Sequence, residues 1–171
     1  MSFLELARRR FSVRKYKQDM VEDEKMRLIL EAGRVAPSAK NMQPQRLIVV
    51  QKKEYLERIG KTANIHGAPA AIIICGSTNN AWVRPYDSRS LVDVDVSIVT
   101  DHMMLMATDL GLGSLWICNF DPEIIRKEFD LPENIRPVNI LALGYSDCPP
   151  ASPDRHNEKR KPLEETVLRL C

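Results

Sequence analysis

Two guanidinium groups flank a hydroxyl in the run Arg10-Phe11-Ser12-Val13-Arg14. In an extended backbone alternate side chains share a face, so Arg10, Ser12 and Arg14 would point one way and Phe11 and Val13 the other. Two planar, permanently charged forks beside a hydroxyl suit a phosphate, which arginine grips through paired N–H donors. Taken alone, the run also fits a solvated basic patch with Arg8 and Arg9, the commoner state of short basic runs. A second polar cluster, Pro37-Ser38-Ala39-Lys40-Asn41-Met42-Gln43-Pro44, shifts the balance toward a site.

Other chemistry is poorly supplied. Neither a G-x-G-x-x-G turn after a strand nor a P-loop is present. His66, His102 and His156 lie far apart, which argues against a metal site. Nothing near Cys118 marks it as a low-pKa thiol, and no side chain stands out as a catalytic acid, base or nucleophile. Cys75, Cys118, Cys148 and Cys171 are scattered without a C-x-x-C pair. Such cysteines read as reduced thiols of a cytoplasmic protein.

Composition narrows the class further. A chain of 171 residues is expected to form one domain over 1–171, long enough to bury a normal core. With 44% hydrophobic and 28% charged residues, wholesale disorder is excluded. A net charge of +2 is too balanced for a general nucleic-acid binder. No signal-peptide pattern opens the chain, and the longest apolar region, 91–112, is interrupted by Asp93, Asp95, Asp101 and Asp109. Neither a nucleic acid nor a membrane is therefore expected as a partner.

The elements that must position the two clusters alternate between helix and strand. Ser2 and Glu5 make a capping box, which predicts a helix from Ser2 to about Arg9. Glu22 to Ala36 reads as a helix with Met26, Ile29, Leu30, Gly33 and Ala36 inward, stopped by Pro37. Leu47–Val50 and Ala70–Cys75 read as buried strands. The spacing of Val92, Val96, Val99, Met103, Met106 and Leu110 predicts a long helix ended at Gly111 and Gly113. Leu115–Cys118 reads as a short strand, Asp121-Pro122-Glu123 as a capped helix start, and Val138–Gly144 as a last core strand. The Pro-rich stretch from Cys148 to Asn157 is expected to be irregular. Short strands separated by helices predict an α/β or α+β domain with one main sheet.

Four motifs in order carry a resemblance over nearly the whole chain. They are Arg10–Arg14 with Tyr16, then Ala36–Pro44, then Leu110-Gly111-Leu112-Gly113-Ser114-Leu115-Trp116-Ile117, and last Arg160-Lys161-Pro162-Leu163-Glu164-Glu165. Together they make the sequence resemble the FMN-dependent nitroreductase family. The resemblance implies an α+β fold with a central, mostly antiparallel sheet flanked by helices. It also implies an intertwined homodimer with two FMN sites at its interface, and it would place the 92–110 stripe in that interface.

By the same resemblance Arg10, Phe11, Ser12 and Arg14 form the first cofactor-binding run, Phe11 bringing no donor, with Arg160 joining at the phosphate. Pro37, Ser38, Asn41 and Gln43 would reach the flavin largely from the partner subunit, and the backbone of Trp116, Ile117 and Cys118 would lie against the isoalloxazine. The implied activity is hydride transfer from NADH or NADPH to FMN, then ping-pong reduction of a nitroaromatic, quinone or related electron-poor small molecule. An FMN-binding or flavin-sensing module with little turnover is the alternative, because the motifs define a cofactor and not a substrate.

Overall fold

The computed structural model of the chain describes residues 1–152 and 154–171. Helix α1 (Phe3–Arg9) starts at the expected capping box: the Glu5 N–H donates to Ser2 Oγ at 3.3 Å and the Ser2 N–H to Glu5 Oε2 at 2.6 Å. Next come α2 (Asp23–Arg34), β1 (Gln45–Val50), α3 (Lys53–Gly60) and β2 (Ala70–Ser77). A small hairpin of β3 (Val83–Arg84) and β4 (Arg89–Ser90) leads into α4 (Val92–Asp109). The chain continues through β5 (Gly113–Ile117), α5 (Pro122–Glu128) and β6 (Ile135–Gly144) to the short helices α6 (Arg155–Lys159) and α7 (Leu163–Thr166). Asp121 caps α5 by accepting from the Glu123 N–H at 2.8 Å, with Pro122 in the first turn.

One sheet of order β1-β2-β6-β5, antiparallel at every pairing, is packed by helices on both faces, an α+β arrangement. Alternation along β2 sends Ala70, Ile72 and Ile74 into one core with α2 and α4. Ala71, Ile73 and Cys75 face the other core, which takes in Ile59 of α3 and Ile125 of α5. Because both faces are covered, every residue of β2 is buried. A bulge between Ile74 and Cys75 absorbs Val138 of β6. Pro137, which has no N–H for a ladder, sits at that bulge, where a central strand tolerates it.

Three sequence expectations are corrected. β1 is an edge strand in which only Val50 is buried and Val49 stays 39% exposed, so a run of branched apolar residues does not mean a buried strand here. The Pro-rich tail is not irregular throughout, since α6 begins within it at Arg155. The apolar stripe of α4 does not wait for a second subunit. Val92, Val96, Val99 and Met103 are all buried within this chain, where Met103 and Val99 lie against Gly33 of α2. The outward face of α4 is instead the one bearing Val94, Ser97, Ile98, Asp101 and Leu105.

An aspartate at position 99 would therefore meet the monomer's own core. Val99→Asp is expected to cost about 3 kcal/mol or more of unfolding free energy, measured by urea denaturation, and to lose fold and assembly together. A well-folded V99D monomer would contradict this placement.

Candidate functional site

Past α1 the chain turns extended at Arg10 and lies along the free edge of β5. The Val13 N–H donates to the Ser114 carbonyl at 3.0 Å, Ser12 pairs with Ser114 in a parallel bridge, and Tyr16 pairs with Ser146. Val13 is fully buried and Phe11 packs beside the α3/α5 core, while Ser12 and Arg14 are exposed and Arg10 is half-buried. The alternation expected of an extended run is thus realised. Phe11 packs against the α3/α5 core and also borders a small pocket with Arg9 and Arg10. Gly113 makes the docking possible: a Cβ there would stand 2.7 Å from Val13 Cγ2, inside contact distance. In the sequence this glycine reads only as part of a turn.

The tail completes the cluster. The Arg155 guanidinium donates to the carbonyls of Arg8 and Arg10 at 2.5 and 2.7 Å, and His156 Nε2 lies 3.0 Å from the Arg8 carbonyl. This latch brings Arg160 to Arg10, and the two line a cleft of about 380 Å³ with Asp101, Leu105 and His156. Burial lowers the Arg10 pKa most, the neighbouring Arg160 and Arg155 lower it further, and Asp101 works the other way. Two further guanidiniums thus act on Arg10 against one carboxylate, a balance that a bound anion would relieve. Arg155 is not among the residues the sequence singles out, because nothing local to a Pro-rich tail shows that it folds back onto α1.

Segment 37–43 forms a tight exposed turn. Ser38 Oγ accepts the Gln43 N–H at 3.0 Å, and Gln43 Nε2 donates to the Asn41 carbonyl at 3.1 Å. Lys40, Asn41 and Gln43 all adopt left-handed backbone, with φ of 49, 56 and 50°. Such conformations gather at functional sites, since non-glycine residues enter them at a cost. Ala39 donates its N–H to Asp95 Oδ1 at 2.8 Å, a contact with no signal in the sequence.

The two clusters are carried by different ends of α4. Thr108 borders a small pocket with Arg9 and Arg10, whereas Asp95 holds the turn. At 1.5 Å per residue Thr108 lies about 20 Å from Asp95 along the helix, and Asp101, which borders the Arg10–Arg160 cleft, about 9 Å from it. Among the described residues no hydrogen bond joins segment 10–14 to segment 37–43. Trp116 lines an open, largely apolar depression of about 570 Å³ against Val94, Ile98 and Asp101, and Asp101 also borders the arginine cleft. The Ile117 side chain is buried in the α3/α5 core, and Cys118 lies exposed just past the strand. Cys75 is fully buried, and burial pushes its thiol up to about 12, so it is no nucleophile. Among the described residues no His, Cys, Asp and Glu cluster could hold a metal, and no helix is long and apolar enough to cross a membrane.

An α+β fold with its sheet packed on both faces, a basic cleft between α1, α4 and the tail, and a polar turn of left-handed residues defines a class of fold and site. The nitroreductase family model matches residues 7–65 and 60–145, and the chain belongs to the nitroreductase family. A crystal structure of a nitroreductase family protein from Clostridium difficile 630 is 53% identical, with a TM-score of 0.96, covering 98% of this chain and 97% of that one. An FMN-dependent nitroreductase from Clostridium difficile R20291 is 30% identical, with a TM-score of 0.76, over 93% of this chain and 97% of the other. A Bacillus subtilis protein named FMN reductase (NAD(P)H) is 27% identical over 92% of this chain and 71% of its own length.

The crowding of Arg10 by Arg160 and Arg155 makes a direct prediction. In low-salt buffer, inorganic phosphate at about ten times its dissociation constant is expected to stabilise the ligand-free protein by roughly 1.4 kcal/mol. Arg160→Ala should lose most of that increment in thermal unfolding scans; equal stabilisation of both proteins would place the anion elsewhere.

Proposed function

We propose that the chain is a single-domain NAD(P)H-dependent FMN oxidoreductase that acts as a homodimer on electron-poor small molecules such as nitroaromatics and quinones. The observation that carries this reading is the half-buried Arg10 beside Arg160 and Arg155, with Asp101 as the opposing carboxylate. That donor set fits a phosphate ester. The exposed hydroxyl and guanidinium of Ser12 and Arg14 extend along the same face toward a ribityl chain. Asn41 and Gln43 offer amide donors and acceptors suited to the mixed edge of a flavin ring, with Pro37 and Ser38 beginning their turn.

The two clusters sit at separate positions along α4 with no hydrogen bond between them, which supports their use by two copies. Arg10, Ser12, Arg14 and Arg160 of one chain would hold the phosphate and ribityl end, while Pro37, Ser38, Asn41 and Gln43 would come from the other. The outward face of α4 supports this, with Val94 43% exposed, as does α1, with Phe3 73% exposed. Trp116, Ile117 and Cys118 would contribute backbone at the ring, since the Ile117 side chain is committed to the core.

FMN, held at its phosphate by Arg10 and Arg160, would supply the redox chemistry, namely hydride acceptance from NADH or NADPH and reduction of the acceptor. The chain's own work is to orient and to set the field. Guanidinium charge beside the cofactor favours its more negative, reduced form. No side-chain acid or base is assigned, because none of the described groups at the cleft requires that role. Reactants held in fixed geometry suffice for a large share of the rate.

Purified protein is expected to bind FMN and to lose its flavin absorbance when mixed anaerobically with NADH or NADPH. Bleaching by neither nucleotide would refute the reductase reading, and bleaching without turnover on any acceptor would leave a flavin-binding module. Arg10→Ala should weaken FMN binding by about one to two decades, the value of a charge-assisted contact of roughly 1.5–3 kcal/mol.

A further inference from the structure

The turn that carries Ser38, Asn41 and Gln43 is held to the body of the protein by a buried carboxylate with no task in the reading above. Asp95 is 1% exposed, near the start of α4, where the helix dipole favours a negative group. Its Oδ1 accepts the Ala39 N–H at 2.8 Å, and its Oδ2 is buried without a partner among the described residues. Burial of a carboxylate for one backbone N–H is costly, so the bond calls for a reason beyond packing.

The reason lies in the turn itself. Most of its hydrogen bonds are internal: Asn41 N–H to Ser38 O at 2.9 Å, Met42 N–H to Ala39 O at 3.1 Å, and the two made by Gln43. These fix its shape but not its place. Two other polar contacts leave the turn at the surface, Arg46 to the Gln43 carbonyl at 3.3 Å and the Lys40 ammonium 5.7 Å from the Trp82 ring centre. Among the described residues the Ala39–Asp95 bond is the one hydrogen bond that ties residues 37–43 themselves into the core. Just beyond them the Pro44 carbonyl accepts the Ser77 N–H of β2 at 2.8 Å and anchors the exit of the turn, not its middle. A run with three left-handed non-glycine residues persists only where its surroundings over-determine it.

We propose that Asp95 is the positioning residue of this turn: by clamping Ala39 it sets where Ser38, Asn41 and Gln43 stand against the flavin held by the other copy. The role rests on the FMN reading given above. It acts through backbone, and Asp95 itself touches no reactant.

Two variants test it. Asp95→Leu fills the space without an acceptor, and Asp95→Asn keeps an oxygen for the same N–H. D95L is expected to weaken FMN binding at least about tenfold, and to speed hydrogen exchange across 37–43 while β2 and β6 stay protected. D95N should stay within about threefold of the parent, since its amide oxygen still accepts. Parental affinity in D95L, or equal weakness in D95L and D95N, overturns the proposal. Should D95L fail to fold, Ala39→Pro removes the donor and leaves α4 untouched. Ser38 is already extended (φ −138°, ψ 157°), as a residue before proline must be. A39P is expected to show the same tenfold loss, and parental affinity there also overturns the role. A parent that binds no FMN refutes the cofactor reading itself, whereas a parent that binds with both variants unchanged refutes the role of Asp95 alone.

Discussion

The seating of α4 between α2 and the sheet is the constraint on which the rest of the molecule depends. The helix buries Val92, Val96, Val99, Met103 and Ala107 in one core, and its first turn packs directly over β2. Gly76 sets the distance, because a Cβ there would run into Val92 Cγ2. That closeness lets one helix act as a beam for both halves of the site. Its N-terminal turn carries the polar loop through Asp95, and Asp101 and Thr108 border the arginine clefts. Interiors packed this densely transmit displacement, so a shift of the beam would move both halves.

The charge of the molecule is local. A net +2 over 171 residues says little about partners, yet Arg155, Arg160 and Asp101 all act on the half-buried Arg10. Many other charges are neutralised at the surface in pairs such as Lys15–Asp147, Lys61–Glu128 and Arg34–Glu31. Exposed pairs of this kind add little to stability. The cleft between α1, α4 and the tail differs from these pairs in setting Arg10 beside Arg160, two guanidiniums with Asp101 as the acid on the same wall.

Much of this architecture is legible in the amino-acid sequence, and the physical reason is periodicity. The capping box at Ser2, the Asp121-Pro122 start and the four-and-three spacing of α4 are local patterns, and all three helices form where those patterns place them. The face alternation of Arg10–Arg14 is legible for the same reason. What escapes is non-local. Whether Leu47–Val50 sits at an edge or in the centre depends on the strands beside it, which no window of six residues contains. The stripe of α4 reads as buried and is buried, but its partner is α2 and the sheet, because periodicity names a face and not what covers it. In sequence Asp95 is one of several acids interrupting an apolar run, and only the fold brings Ala39 to it. Helix α3 has no such signal at its start, since its Lys52 cap makes no side-chain hydrogen bond.

The latch made by Arg155 has one more consequence. It closes on the main-chain carbonyls of Arg8 and Arg10, which lie 147 and 145 positions earlier in the chain. A guanidinium that recognises backbone is indifferent to which side chains stand at the positions it grips. Substitution can therefore drift freely at Arg8 without loosening the closure, while Arg155 itself has no such latitude. The cleft between Arg10 and Arg160 is thus walled by segments from the two ends of the chain, and opening the latch would part those walls without breaking a hydrogen bond of the sheet.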